Sequence, residues 1–189
     1  SYFDDGMSKV SDFVTISTNM RFDVGAQLGA SLDVGQTVAD RCYTVDSPQQ
    51  LLNCRVTTPF AHQTQFKMHW SYPFPGDFVA SGVYTNTSGV GYEANYRVKN
   101  VDLMDSLGRD LAACGSKVGA ACSANVVVPL ILPGTQNEPR VNSLDLRFSK
   151  LFNFESGMVV RANFDLYNAL NGTNILEINS SFGPSWRNG

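Results

Sequence analysis

Apolar and polar residues alternate one by one along most of this chain, which places successive side chains on opposite faces of an extended strand. In the first run Val14, Ile16, Met20 and Phe22, with Thr18 among them, share one face against Thr15, Ser17, Asn19 and Arg21. The next sets Ala26, Leu28, Ala30, Leu32 and Val34 against Gln27, Gly29, Ser31, Asp33 and Gly35, and Asp23-Val24-Gly25 between the two reads as a tight hairpin. A third opposes Phe66, Met68, Trp70 and Tyr72 to Gln65, Lys67, His69 and Ser71, then meets the turn signal Pro73-Phe74-Pro75-Gly76-Asp77. Late in the chain Leu144, Leu146 and Phe148 oppose Asp145, Arg147 and Ser149, and Val160, Ala162, Phe164 and Leu166 oppose Arg161, Asn163 and Asp165. The pattern predicts strands near 13–22, 24–38, 64–72, 78–85, 142–152 and 158–167 in one segment spanning 1–189, with long connections at 39–62 and 86–141. Val101, Met104, Leu107 and Leu111 have near-helical spacing and predict a short surface helix in the second connection.

Strand length and the placement of charge turn this pattern into an architecture. Runs of about nine residues are long enough to cross a bilayer at a steep tilt. Aromatics stand near the strand ends on the apolar face: Phe22, Trp70, Tyr72, Phe152 and Phe154, as in the girdle where strands leave hydrocarbon. The opposite face carries Arg21, Asp33, Lys67, Asp145, Arg147, Arg161 and Asp165, which suits a wet lumen and not a dry core. Short turns at one end and long loops at the other complete the expectation of an all-β fold, antiparallel up-and-down hairpins of a partial transmembrane β-barrel. A soluble sandwich also alternates and is the rival architecture. No apolar run reaches the length of a membrane helix, and Ser1 to Gly6 lacks the basic-then-apolar order of a signal peptide.

Of 189 residues only 16% are charged, below the roughly 25% of soluble domains, and 14 Lys and Arg against 17 Asp and Glu leave a net charge of −3. That balance excludes a nucleic-acid module with a broad basic face. The 4 cysteines form two near pairs, Cys42 with Cys54 and Cys114 with Cys122, neither with zinc-knuckle or redox spacing. Four cysteines allow three connectivities; local pairing closes the shortest loops and suits an oxidising compartment.

No constellation points to catalysis, a metal or a cofactor, and the chain is expected not to be an enzyme. His62 and His69 lack a third ligand. No G-x-S-x-G elbow occurs, and Gly89-Val90-Gly91-Tyr92-Glu93-Ala94 resembles a dinucleotide fingerprint without its strand and helix. Asp145 and Asp165 are better read as partners of Arg147 and Arg161 than as glycosidase carboxylates. Asp4-Asp5-Gly6 lacks the spaced ligands of a calcium loop, and the sequons at Asn86, Asn171 and Asn179 are ordinary loop composition in a bacterial chain. Tyr84, Tyr92, Asn95 and Tyr96 are candidate ligand-contact residues, with packing inside a tethered loop as the equal alternative.

Longer stretches carry a family resemblance. Val128-Pro129-Leu130-Ile131, Leu132-Pro133-Gly134-Thr135 and Arg140-Val141-Asn142-Ser143-Leu144-Asp145-Leu146-Arg147-Phe148-Ser149-Lys150 resemble the closing part of TonB-dependent outer-membrane receptors. They are most similar to the large receptors with a carboxypeptidase-regulatory-like N-terminal domain. Asn163 to Asn171, Phe182-Gly183-Pro184-Ser185-Trp186-Arg187 and Cys54 to Phe60 extend the likeness over most of the chain. The family's plug, TonB box and terminal aromatic strand have no counterpart here, and a receptor barrel needs about 22 strands. The expectation is a fragment of a longer polypeptide, or a free-standing product that pairs its open edges with something else.

The resemblance implies a bacterial outer-membrane location and a share in ligand capture and uptake. The implied partners are outer-membrane lipid, the remaining barrel and plug, TonB indirectly, and a small-molecule or oligosaccharide ligand. The alternative is a soluble secreted or cell-surface β-protein that binds ligand or self-assembles through its edge strands.

Overall fold

The computed structural model describes residues 7–42 and 51–188. Long stretches of alternation become strands: β1 (Ser8–Arg21), β2 (Gln27–Asp40), β4 (Gln65–Phe74), β5 (Phe78–Thr87), β8 (Val141–Asn153) and β9 (Val159–Leu166). These pair antiparallel in the order β1-β2-β4-β5-β8-β9, and β3 (Arg55–Thr58) adds to the far end of β2. The strands at the ends of this path, β1 and β9, are not paired with each other. The fold is therefore an antiparallel, mostly β structure built on one open sheet.

The connections after β2 and β5 fold further. The first contains β3 and a short helix α1 (Phe60–Gln63). The second contains β6 (Asn95–Lys99), the helix α2 (Asn100–Leu107), 3₁₀ turns at Ala112–Cys114 and Gly119–Ala121, and β7 (Asn125–Pro129), which pairs with β6. Of the four residues with helical spacing, Val101, Met104 and Leu107 lie on α2 and Leu111 lies beyond it. Asp4-Asp5-Gly6 and part of the connection at 39–62 lie outside the described residues.

At the other end the turns are tight. Phe22 donates its N–H to Ala26 at 2.9 Å and Gly25, at φ +83°, donates back to Phe22 at 2.8 Å. A left-handed residue there fits Gly because it has no Cβ to clash. Asp77 and Gly76 turn β4 into β5, and Phe154 and Met158 close β8 onto β9 at 2.9 Å.

Register aligns the apolar residues across the sheet. Met20, Leu28, Trp70, Gly82, Leu146 and Leu166 form one cross-strand row, and Ile16, Leu32 and Phe66 form another. Because side chains alternate with period two, all of them occupy one face. That face is uncovered: Val14, Ile16 and Phe164 are 65%, 68% and 64% exposed, while among the described residues the buried hydrophobics are only Ala26, Ala80, Ala94, Val98, Cys114 and Cys122. The chain, 20.6 kDa, exposes 13301 Å², against about 8,900 Å² for a water-soluble monomer of that mass.

Within the apolar face Trp70 lies over Gly82. A Cβ built at Gly82 would stand 2.7 Å from the Trp70 indole nitrogen, so any side chain there displaces the ring. Gly82→Ala is expected to shift the Trp70 emission spectrum and to cost about 1–3 kcal/mol in denaturant titration, through overpacking. An unchanged midpoint and spectrum would show that the ring has room to move.

Candidate functional site

The face opposite the apolar one carries most of the sheet's charged residues and one ion pair. Arg147 on β8 makes two hydrogen bonds to Asp165 on β9, Nε to Oδ1 at 2.6 Å and an Nη to Oδ2 at 3.0 Å. These residues face each other directly in the register, which allows the planar guanidinium to take both carboxylate oxygens. Thr15 donates to Asp33 at 2.6 Å, and Ser149 and Asn163 are 2.8 Å apart. His69 covers Gly29, close to Asn19. A depression of about 450 Å³ opens among Gln27, His69, Ser71, Asp145, Arg147 and Asp165. A second, of about 500 Å³, shares His69 and reaches Ser17, Asn19 and Lys67.

The Asp145 and Asp165 carboxylates have separate occupations: Asp145 accepts the backbone N–H of Asn168 at 2.8 Å, and Asp165 holds Arg147. Arg161 faces Leu151 in the register, so the expected pairing is realised by Arg147 alone. His62 sits on α1 and His69 on β4, and no group of three or more His, Cys, Asp or Glu among the described residues could hold a metal ion. The glycine-rich stretch at 89–94 leads into a strand, β6, and not a helix, and Tyr92 donates its N–H to Gln136 at 3.1 Å.

The long-loop end of the sheet carries the candidate ligand residues and a structure of its own. Disulfides Cys42–Cys54 and Cys114–Cys122 pin its two connections across separations of 12 and 8 residues. The second connection is organised around Asn100, which is fully buried. Its side-chain amide donates to Asp110 at 2.6 Å and to the Gly119 carbonyl at 3.3 Å, and its oxygen accepts from Leu111 at 2.8 Å. Asp110 also accepts the Gly119 N–H at 2.9 Å, so one Asn and one Asp bond the backbone of Leu111 and Gly119, where the two 3₁₀ turns begin.

The segment 179–188 clasps this unit. Asn95 donates its N–H to Ser180 at 2.8 Å and Phe182 donates to Asn95 at 2.9 Å, adding a short parallel bridge beside β6. The Trp186 indole donates to the Glu93 carbonyl at 2.9 Å. Arg187 pairs with nearly buried Glu138 at 2.9 Å and lies 4.6 Å over the Tyr92 ring. Phe182 meets Tyr96 at 6.2 Å and Trp186 at 5.6 Å.

Three of the four candidate ligand residues, Tyr92, Asn95 and Tyr96, thus gather at the clasp. Tyr84 is elsewhere: it lies on β5, donates to Asn142 at 2.8 Å and packs 6.1 Å from Phe66. Asn142 also accepts from Asn86, whose own oxygen accepts from Arg140 at 2.8 Å. Arg140 continues to the carbonyls of Ala61 and Thr64, tying α1 to the sheet. Sequence reasoning singled out neither Asn100, Glu138 nor Arg140, since each works through partners far away in the chain. Neither a protein-family model, nor a curated protein, nor a solved structure matches this chain.

Replacing Asn100 with Ala leaves Asp110, Gly119 and Leu111 short of partners. Removal of such a buried amide is expected to cost about 1–3 kcal/mol locally. Amide exchange should quicken through residues 100–121 while β1, β2, β4 and β5 keep their protection; uniform quickening everywhere would refute a local role.

Proposed function

We propose that this chain is part of the wall of an outer-membrane β-barrel, of the TonB-dependent receptor type, which captures ligand at the cell surface and takes part in its uptake. One observation carries the reading: the sheet exposes its apolar face and places most of its charged residues, the Arg147–Asp165 pair among them, on the other. A soluble protein buries the first arrangement and leaves the second in water. Against lipid the apolar face is covered by hydrocarbon, and the polar face, with its paired Arg147 and Asp165, lines a wet interior. The open ladder also supports it, because β1 and β9 each offer an unpaired edge to further strands.

In this reading the tight turns lie at the periplasmic side and the disulfide-pinned loops face outward. The remaining barrel strands and the plug are partners in the assembly, and TonB acts through that plug. The clasped unit with Tyr92, Asn95 and Tyr96 stands where an incoming small molecule or oligosaccharide arrives. Tyrosine and asparagine suit such recognition by combining flat contact area with hydrogen bonding.

Ile16 is six residues from the turn-end Phe22, about 15 Å along the membrane normal for a strand tilted as in barrels, which is near mid-bilayer. Ile16→Arg is expected to cost about 2–4 kcal/mol of membrane assembly, and Ser17→Arg, on the opposite face, much less. The measurement is the amount of protease-resistant chain in the outer-membrane fraction, with its intact mass. Equal tolerance of both changes, or a monodisperse detergent-free particle of 20.6 kDa, would overturn the reading in favour of a soluble β-protein.

A further inference from the structure

Between the row of Ile16, Leu32 and Phe66 and the tight turns, the apolar face is almost free of charge. Among the described strand residues there, Lys150 alone is ionised in the ordinary pH range. It stands at the turn end, facing Phe78 across one ladder and Ala162 across the other. Its ammonium is 4.5 Å from the centre of the Phe78 ring and 5.7 Å from that of Phe152, and it donates to the carbonyl of Gly76.

An ammonium has three N–H donors and Gly76 accepts one. The ion pairs among the described residues are Arg55–Asp40, Arg147–Asp165 and Arg187–Glu138, so no carboxylate neutralises Lys150. Covering this face with a dry protein surface would strand a charge without a counter-ion, at high cost. A bilayer interface reverses that balance: the aliphatic stem and the phenyl rings lie in hydrocarbon while the head reaches the phosphate layer.

On the reading of the chain as barrel wall, we infer that Lys150, ringed by Phe78, Phe152 and the Gly76 carbonyl, docks the phosphate of an anionic phospholipid at the turn-end leaflet. Two free ammonium donors meet phosphate oxygens, and the rings hold the head at one depth. The chain's net charge of −3 gives no general attraction to anionic membranes, so a preference for such lipid has to be local.

The test dilutes the full chain from detergent into vesicles of phosphatidylcholine alone or of equimolar phosphatidylcholine and phosphatidylglycerol, and compares the fractions that float. Wild type should favour the anionic vesicles; Lys150→Gln should lose about fivefold of that preference, the share of one interfacial basic residue. Lys150→Arg should retain it, and Lys67→Gln, the same charge change on the polar face, should leave it within about twofold. A strand-type circular dichroism spectrum in each variant confirms folding. Equal preferences in Lys150→Gln and Lys67→Gln would overturn the phosphate site while leaving the barrel wall standing. Failure of wild type to enter either vesicle would overturn both.

Discussion

The antiparallel hydrogen-bond ladder running from β1 to β9 holds this chain together where most proteins of its mass rely on a hydrophobic core. Every other feature of the sheet follows from that substitution. The side chains that would form a core, Ile16, Leu32, Phe148 and Phe164 among them, stand on one open surface. Backbone pairing is only modestly stabilising in water, because each bond replaces bonds to solvent. It becomes obligatory where no water is present to take its place. A sheet with an uncovered apolar face is therefore exposed to aggregation in water unless something covers that face.

The two ends of the sheet are stabilised by different physics. Turns of a few residues close one end and need little more than a left-handed residue such as Gly25. The other end has to fold long connections, and it does so with polar and aromatic contacts in place of apolar burial. Asn100 and Asp110 satisfy the turns around the second disulfide, Arg140 ties α1 to β5, and Trp186 and Arg187 fasten the last described residues over Tyr92 and Glu138.

Much of the sheet was legible because alternation is a local signal. Residues two apart share a face whatever their partners, so the apolar set from Val14 to Leu166 could be read off before any pairing was known. Local closure of each cysteine pair was equally accessible, since each loop is short. The β6 and β7 hairpin was hidden for the opposite reason. Val126, Val127 and Val128 form a continuous apolar run, and their partners between Asn95 and Lys99 lie across α2 and two 3₁₀ turns. The clasp was hidden too: Phe182, Trp186 and Arg187, beyond β9, meet Tyr96, Glu93 and Glu138 of the connection between β5 and β8. No periodicity announces a contact between two irregular segments.

The disulfides have a consequence for the order of assembly. Each joins cysteines in the same connection, 12 and 8 residues apart; the first sits just beyond the Asp40–Arg55 pair of β2 and β3, and neither joins two of the long strands. Oxidation therefore constrains only the β2–β3 register, and misalignment of the long strands is not locked by a covalent bond. Each loop can be sealed by oxidation of its own residues, before the long strands have paired. Cross-linking and strand alignment are thus separate events, one closing short loops covalently and the other leaving the long strands able to slide until their hydrogen bonds are made.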